Sequence, residues 1–175
     1  MKPPPGQQVP PAASSSPFSL TLNWMHVAAA LWHNGYALGL DCGPPNVLLR
    51  DITAPESTMP PPEALRPTDL QATVIHIQLI DCIPFATVRD RILSGSFIVN
   101  MDALRDDLLN MGLSCWGRRP WDPRAWELPA AFVDKWWWLL DDQVVGMTNF
   151  WREQRAEEPL VWRGNPGGEA FLGLV

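Results

Sequence analysis

Apolar positions recur at three- and four-residue steps in five stretches of the chain and alternate in one. From Thr21 to Leu38, Trp24, Ala28, Leu31, Gly35 and Leu38 share one helical face. Thr21 or Asn23 is placed to cap that helix, and Gly39 suits the left-handed residue that ends it. Between Ala72 and Ile80, Ile75, Ile77 and Leu79 alternate with His76 and Gln78. That is the pattern of a half-buried strand, or of a short extended segment packed on helices. Pro84 is placed to open a helix with Phe85, Val88 and Ile92 as its apolar stripe, Arg89 and Arg91 as its wet side and Gly95 as its stop. Asn100 caps the next, over Met101, Leu104, Leu108 and Met111. Asp102 lies in its first turn, where the helix dipole favours an anion, and Gly112 ends it. Pro129 opens a further helix with Phe132, Trp136, Leu139, Leu140 and Val144 on the buried side, widened by Trp137 and Trp138. Gly146 marks a break, after which Thr148 or Asn149 caps a last short helix.

Proline sets what lies between. Six prolines in residues 1–18 make the first 19 residues a disordered Pro/Ser-rich tail, unable to bury enough apolar surface to offset its ordering entropy. Residues 41–68 read as a Pro-rich loop and 164–175 as a flexible Gly-rich tail. The expected fold is mainly α: one helical domain over residues 20–163, with four to five helices, a Trp-rich core, long Pro-rich loops and room for one short extended segment.

Composition narrows the function. Thirteen basic and 19 acidic residues give a net charge of −6, whereas phosphate binding needs clustered Lys and Arg. Direct DNA binding by this chain alone is therefore not expected. Three cysteines at spacings of 40 and 33 residues fit no disulfide scaffold and suit a reducing compartment. No secretory signal is read at the N-terminus, and the longest apolar run, Trp24 to Leu40, is too short and polar to span a membrane. Cys and His are scattered, so neither a metal nor a cofactor is expected; His26 and His33, seven apart, lack a third ligand nearby.

Eight of the ten tryptophans lie between Trp116 and Trp162. Within that block, Asp122 and Glu127 stand among Trp121 and Trp126, an arrangement that looks superficially like the aromatic platforms and paired acids of a carbohydrate hydrolase. A carboxylate that caps a turn explains Asp122-Pro123 more simply. Arg118, Arg119 and Arg124 are interleaved with Trp116, Trp121 and Trp126. That mixture suits single-stranded nucleic acid or a phosphorylated partner, and equally Arg–Trp stacking within a fold. Nucleophile elbows, phosphate-cradling loops and dinucleotide fingerprints are absent from the sequence.

LRPTDLQATVIHIQLIDCIPFATVRDRIL (Leu65–Leu93), followed by CWGRRPWDPRAWEL, FVDKWWWLL and TNFWREQR, resembles the fungal DUF3425 family. The similarity spans roughly Trp24 to Trp162. The matching positions are Arg66, Pro67, Thr68, Gln71, His76, Asp81, Pro84, Arg89 and Asp90 in the first half. In the second they are Trp116, Gly117, Pro120, Trp121, Asp122, Pro123, Trp126, Glu127, Phe132, Lys135, Trp136, Asn149, Trp151, Arg152 and Arg155. Such a domain commonly follows a basic leucine zipper in fungal transcription-factor-like proteins. The resemblance implies a non-enzymatic regulatory or protein-interaction module, in the nucleus or alternatively the cytoplasm, with other proteins such as transcriptional regulators as partners. A Pro/Ser tail stands where the family has its basic region, so this chain is expected to lack a DNA-binding basic region of its own, as a stand-alone paralogue or as part of a longer factor. The alternative is a small-molecule-binding protein or enzyme using residues 116–127. The expected interaction or structural motif is Trp116, Arg119, Trp121, Asp122, Arg124, Trp126, Glu127, Lys135, Trp136, Asn149, Trp151, Arg152 and Arg155.

Overall fold

A computed structural model describes residues 24–40 and 60–164. In chain order the elements are β1 (Trp24–His26), α1 (Val27–Ala37), α2 (Asp69–Thr73), α3 (Gln78–Asp81), α4 (Ala86–Ser94), α5 (Met101–Asn110), β2 (Ser114–Trp116), β3 (Trp126–Glu127), α6 (Ala130–Trp136) and α7 (Asp142–Glu153). The fold is mainly helical: among the described residues there are five helices of seven residues or more, with α2 and α3 as single-turn pieces. The expected tails, and most of the Pro-rich loop, lie outside the described residues, as do Thr21 and Asn23.

Local chemistry accounts for most helix ends. The Asn100 side chain caps α5 by accepting from the Ala103 N–H, and Thr68 and Gln71 form a reciprocal capping box on α2. Gly39 adopts φ 70° just after α1. Two expectations about the Pro84–Gly95 helix fail. It begins at Ala86, two residues after Pro84, and its supposed wet side is not wet: Arg89 is fully buried, and half-buried Arg91 donates to the Leu140 carbonyl. The break expected at Gly146 lies earlier. A 3₁₀ turn over Trp137–Leu139 ends the α6 segment, and Asp141 caps α7 by accepting from Val144 N–H, so Gly146, Thr148 and Asn149 are interior to α7. A cap beats a lone glycine here, because a glycine costs a helix only about 1 kcal/mol.

The alternating stretch is no strand. Residues 74–77 form an extended link between α2 and α3. The sheet is elsewhere, antiparallel in the order β1-β2-β3, pairing Trp24 with Trp116 and Cys115 with Trp126. Behind it the core gathers Leu31, Ile92, Leu104, Leu139 and Val144 from five helical segments. Trp126 and Trp136 lie inside that core, Trp138 and Trp162 pack against it, and Trp116, Trp121, Trp137 and Trp151 are half-buried.

At the sheet's centre Cys115 is fully buried. Burial, helped by the charge of Asp122, pushes its thiol up to about 12 from an ordinary 9.0. The unfolded chain therefore loses this proton first as pH rises. The contribution is intact below the unfolded value and is lost between it and the folded value, at a limiting slope of about 1.4 kcal/mol per pH unit. Denaturation of wild type and Cys115→Ala at pH 8 and 10.5 is expected to show a steeper alkaline loss for wild type. Equal slopes would show that the buried thiol is not linked to folding.

Candidate functional site

The β2–β3 hairpin, strands and loop together, carries seven of the thirteen residues of the expected motif. The loop leaves β2 through Gly117, whose φ of 86° favours glycine, and returns through a 3₁₀ turn at Pro123–Ala125. Asp122 caps that turn. Its Oδ1 accepts from the Arg124 backbone N–H and Nε, both at 3.0 Å, and its Oδ2 from an Arg124 terminal nitrogen at 2.8 Å. The Arg124 side chain is the main cause that holds the Asp122 carboxyl below its ordinary value, with Arg119 adding a smaller charge effect.

Glu127 is held separately, by β2 and the turn after α7. Its Oε2 accepts from Trp116 Nε1 at 2.8 Å and from Arg155 at 3.0 Å, and its Oε1 accepts from Arg155 at 2.5 Å. Arg155 also pairs with Glu157 at 2.7 Å, and these two carboxylates push its guanidinium further above its ordinary value, Glu157 foremost. The same guanidinium lies 5.9 Å over the Trp116 ring, which stacks on Trp151 at 5.5 Å. Trp151 Nε1 donates to the Arg124 carbonyl at 2.8 Å, so the loop is clamped from both ends.

The remaining motif residues are dispersed. Trp126 Nε1 donates to the Pro120 carbonyl at 2.7 Å, an oxygen that also accepts from Asn34 of α1 at 3.0 Å. Lys135 and Trp136 both reach Asp107 on α5, at 2.5 and 2.9 Å, and Lys135 is the main cause that lowers that carboxyl. Asn149 exchanges two hydrogen bonds with the Leu160 backbone, and Arg152 donates to the Glu158 carbonyl. Arg119 is exposed and Trp121 half-buried. Asp122 and Glu127 thus each have their own arginine and do not share a partner. Among the described residues no three His, Cys, Asp or Glu side chains are placed to hold a metal ion.

A second constellation was hidden from periodicity. Arg89, in the middle of α4, donates through Nε to Gln71 Oε1 at 2.8 Å. Its terminal nitrogens donate to the carbonyls of Ala64, Ile83 and Arg66 at 2.9, 2.6 and 2.8 Å. Gln71 Nε2 donates to Asp81 Oδ1 at 2.6 Å, an oxygen that also meets His76 Nε2 at 3.0 Å. The other His76 ring nitrogen lies 2.5 Å from the Val74 carbonyl, and Thr68 reaches Asp90 at 2.5 Å. Burial pulls the Arg89 guanidinium below its ordinary value, with Asp81 and then Asp90 opposing. Seven positions of the family resemblance therefore meet here: Gln71, His76, Asp81 and Arg89 form a buried polar knot, half-buried Thr68 and Asp90 lie beside it, and exposed Arg66 joins through its carbonyl. Their spacing shows no motif, because the partners lie up to 25 residues apart; the resemblance was the only signal.

A family model described as a domain of unknown function (DUF3425) matches residues 52–147, more than half of the 175-residue chain. The knot and the loop from Trp116 to Glu127 fall inside the match, whereas Asn149, Trp151, Arg152 and Arg155 fall beyond it. No curated protein and no solved structure matches.

Proposed function

The chain belongs to the DUF3425 family, and on that premise we propose that it works as a non-enzymatic protein-interaction module in the control of transcription. The observation that carries this reading is the surface. Phe97 and Ile98 sit side by side in the turn between α4 and α5 with 83% and 64% of their area exposed. On α1, Tyr36 is exposed with its ring stacked on half-exposed Trp32 at 6.0 Å. Adjacent apolar side chains kept in water mark contact surfaces, since folding alone gains nothing from them. The acids that a Trp-lined enzyme site would need are instead engaged by Arg124 and Arg155, so the small-molecule or enzyme alternative has less support. On this reading the protein acts in the nucleus, and DNA contact belongs to other proteins.

Two measurements test it. The purified chain is expected to give no tight gel shift with duplex DNA; tight binding with a steep salt slope would sink the reading. Tethered to an unrelated DNA-binding domain, the chain is expected to change reporter transcription, and Phe97→Ser with Ile98→Ser to reduce the effect. A reporter indifferent to the tethered chain would count equally against it.

A further inference from the structure

After α7 the chain turns back along the helix it has just left. The turn is a Schellman stop: the Glu157 N–H donates to the Arg152 carbonyl at 3.0 Å and the Ala156 N–H to the Glu153 carbonyl at 2.9 Å. Such a stop needs a left-handed residue, which is ordinarily glycine. Here it is Ala156, at φ 55°, and among the described residues it is the one non-glycine with a positive φ. A Cβ in that region crowds the following carbonyl oxygen. The hinge that folds the next segment back is therefore strained.

That segment, Glu-Glu-Pro-Leu-Val-Trp at 157–162, is held as a peptide would be. Asn149 donates to the Leu160 carbonyl at 3.1 Å and accepts from the Leu160 N–H at 2.7 Å, so one carboxamide takes up both backbone groups of a residue. Arg152, one turn along α7, donates through Nε to the Glu158 carbonyl at 2.6 Å. These bonds reach only main chain. Side chains are read elsewhere: Leu160 and Trp162 pack against the core while Val161 between them is 91% exposed, the alternation of extended backbone. Trp162 Nε1 donates to the Trp137 carbonyl at 2.9 Å, and Glu157 meets Arg155 at 2.7 Å and Arg152 at 3.3 Å. Main-chain bonds for affinity and alternate side chains for specificity are how folded domains bind extended peptides.

We propose that the seat of this strap binds an extended segment of another protein, and that the strap fills the seat until that segment displaces it. The incoming segment offers what the strap offers: a carboxylate, an aliphatic residue three positions on and an indole two beyond that. Release of the strain at Ala156 favours the exchange. The apparent affinity scales with the fraction of chains whose strap is off. Ala156 is exposed and makes none of the seat's contacts, so substitutions there change that fraction alone. The test is fluorescence anisotropy of a fluorescein-labelled Glu-Glu-Pro-Leu-Val-Trp peptide with the full chain up to about 1 mM. Ala156→Pro, which fits neither the φ nor the N–H bond of the stop, is expected to bind about tenfold or more tightly than wild type. Ala156→Gly relieves the closed turn and is expected to bind about fivefold more weakly. Leu160→Ser with Trp162→Ser frees the seat by a second route and should also tighten binding, with circular dichroism checking that each variant is folded. Adding Asn149→Ala to Ala156→Pro should lose about tenfold. Failure of every variant to bind the peptide, equal affinity for wild type and both Ala156 variants, or binding that survives Asn149→Ala overturns the proposal. The seat uses other residues than Phe97 and Ile98 and goes beyond the interaction-module reading. Its failure leaves that reading standing, which fails separately on the DNA and reporter measurements.

Discussion

Arg89→Ala is expected to destabilise the chain by about 3–5 kcal/mol, the cost of breaking a buried charge network by removing one partner. Arg89 is 0% exposed, and its donors serve the Gln71 amide oxygen and the carbonyls of Ala64, Arg66 and Ile83. Alanine would leave the three carbonyls without this donor, whereas Gln71 Oε1 keeps the Thr68 N–H, and Asp81 would lose a nearby guanidinium. Buried acceptors without donors cost about 1–3 kcal/mol each when nothing relaxes. The stability of a small domain is only about 5–15 kcal/mol, so the variant should lie near the edge of folding. Arg89→Lys keeps the charge but cannot replace a planar fork that reaches four acceptors in different directions. It should recover only part of the loss. Urea denaturation followed by tryptophan fluorescence measures both. A loss under about 1 kcal/mol for Arg89→Ala would show that the knot does not hold α2, α3 and α4 together.

Trp126→Ala should cost about as much, roughly 3–5 kcal/mol, for a different reason. Trp126 is 2% exposed and meets Phe85 edge to face at 6.5 Å, so its removal leaves a cavity in the apolar core. Trp126→Phe separates packing from hydrogen bonding. It keeps much of the ring but takes away the indole N–H from the Pro120 carbonyl, which then has only the Asn34 amide. The expected loss is about 1–2 kcal/mol. If Phe and Ala cost the same, the hydrogen bond, not the ring volume, holds the loop from Trp116 to Trp126 on the core.

These two residues also show where sequence reasoning reached and where it stopped. Trp126 belonged to the expected motif, and the structure gives it an internal anchoring role. Periodicity places Arg89 on a wet helix face, because a charged residue beside a Phe85–Val88–Ile92 stripe is ordinarily solvated. Nothing near it in sequence tells that four acceptors converge on its guanidinium. The three-stranded sheet was equally illegible: strands of two or three residues show no periodicity, and Trp24 finds its partner at Trp116.

What the sequence determined by itself was what neighbours in the chain decide. The mainly helical class, the Asn100 cap, the Gly39 and Gly95 stops, and the burial of Phe132 and Trp136 on one face of α6 all follow from residues within a turn or two of one another. Helical periodicity and capping are local physics. What only the tertiary structure decided was where polar groups find partners: Arg89 with Gln71 and three carbonyls, Glu127 with Trp116 and Arg155, Asn34 with Pro120. Those pairings exist because buried donors and acceptors must be satisfied, and which group satisfies which depends on segments the fold brings together from far along the chain.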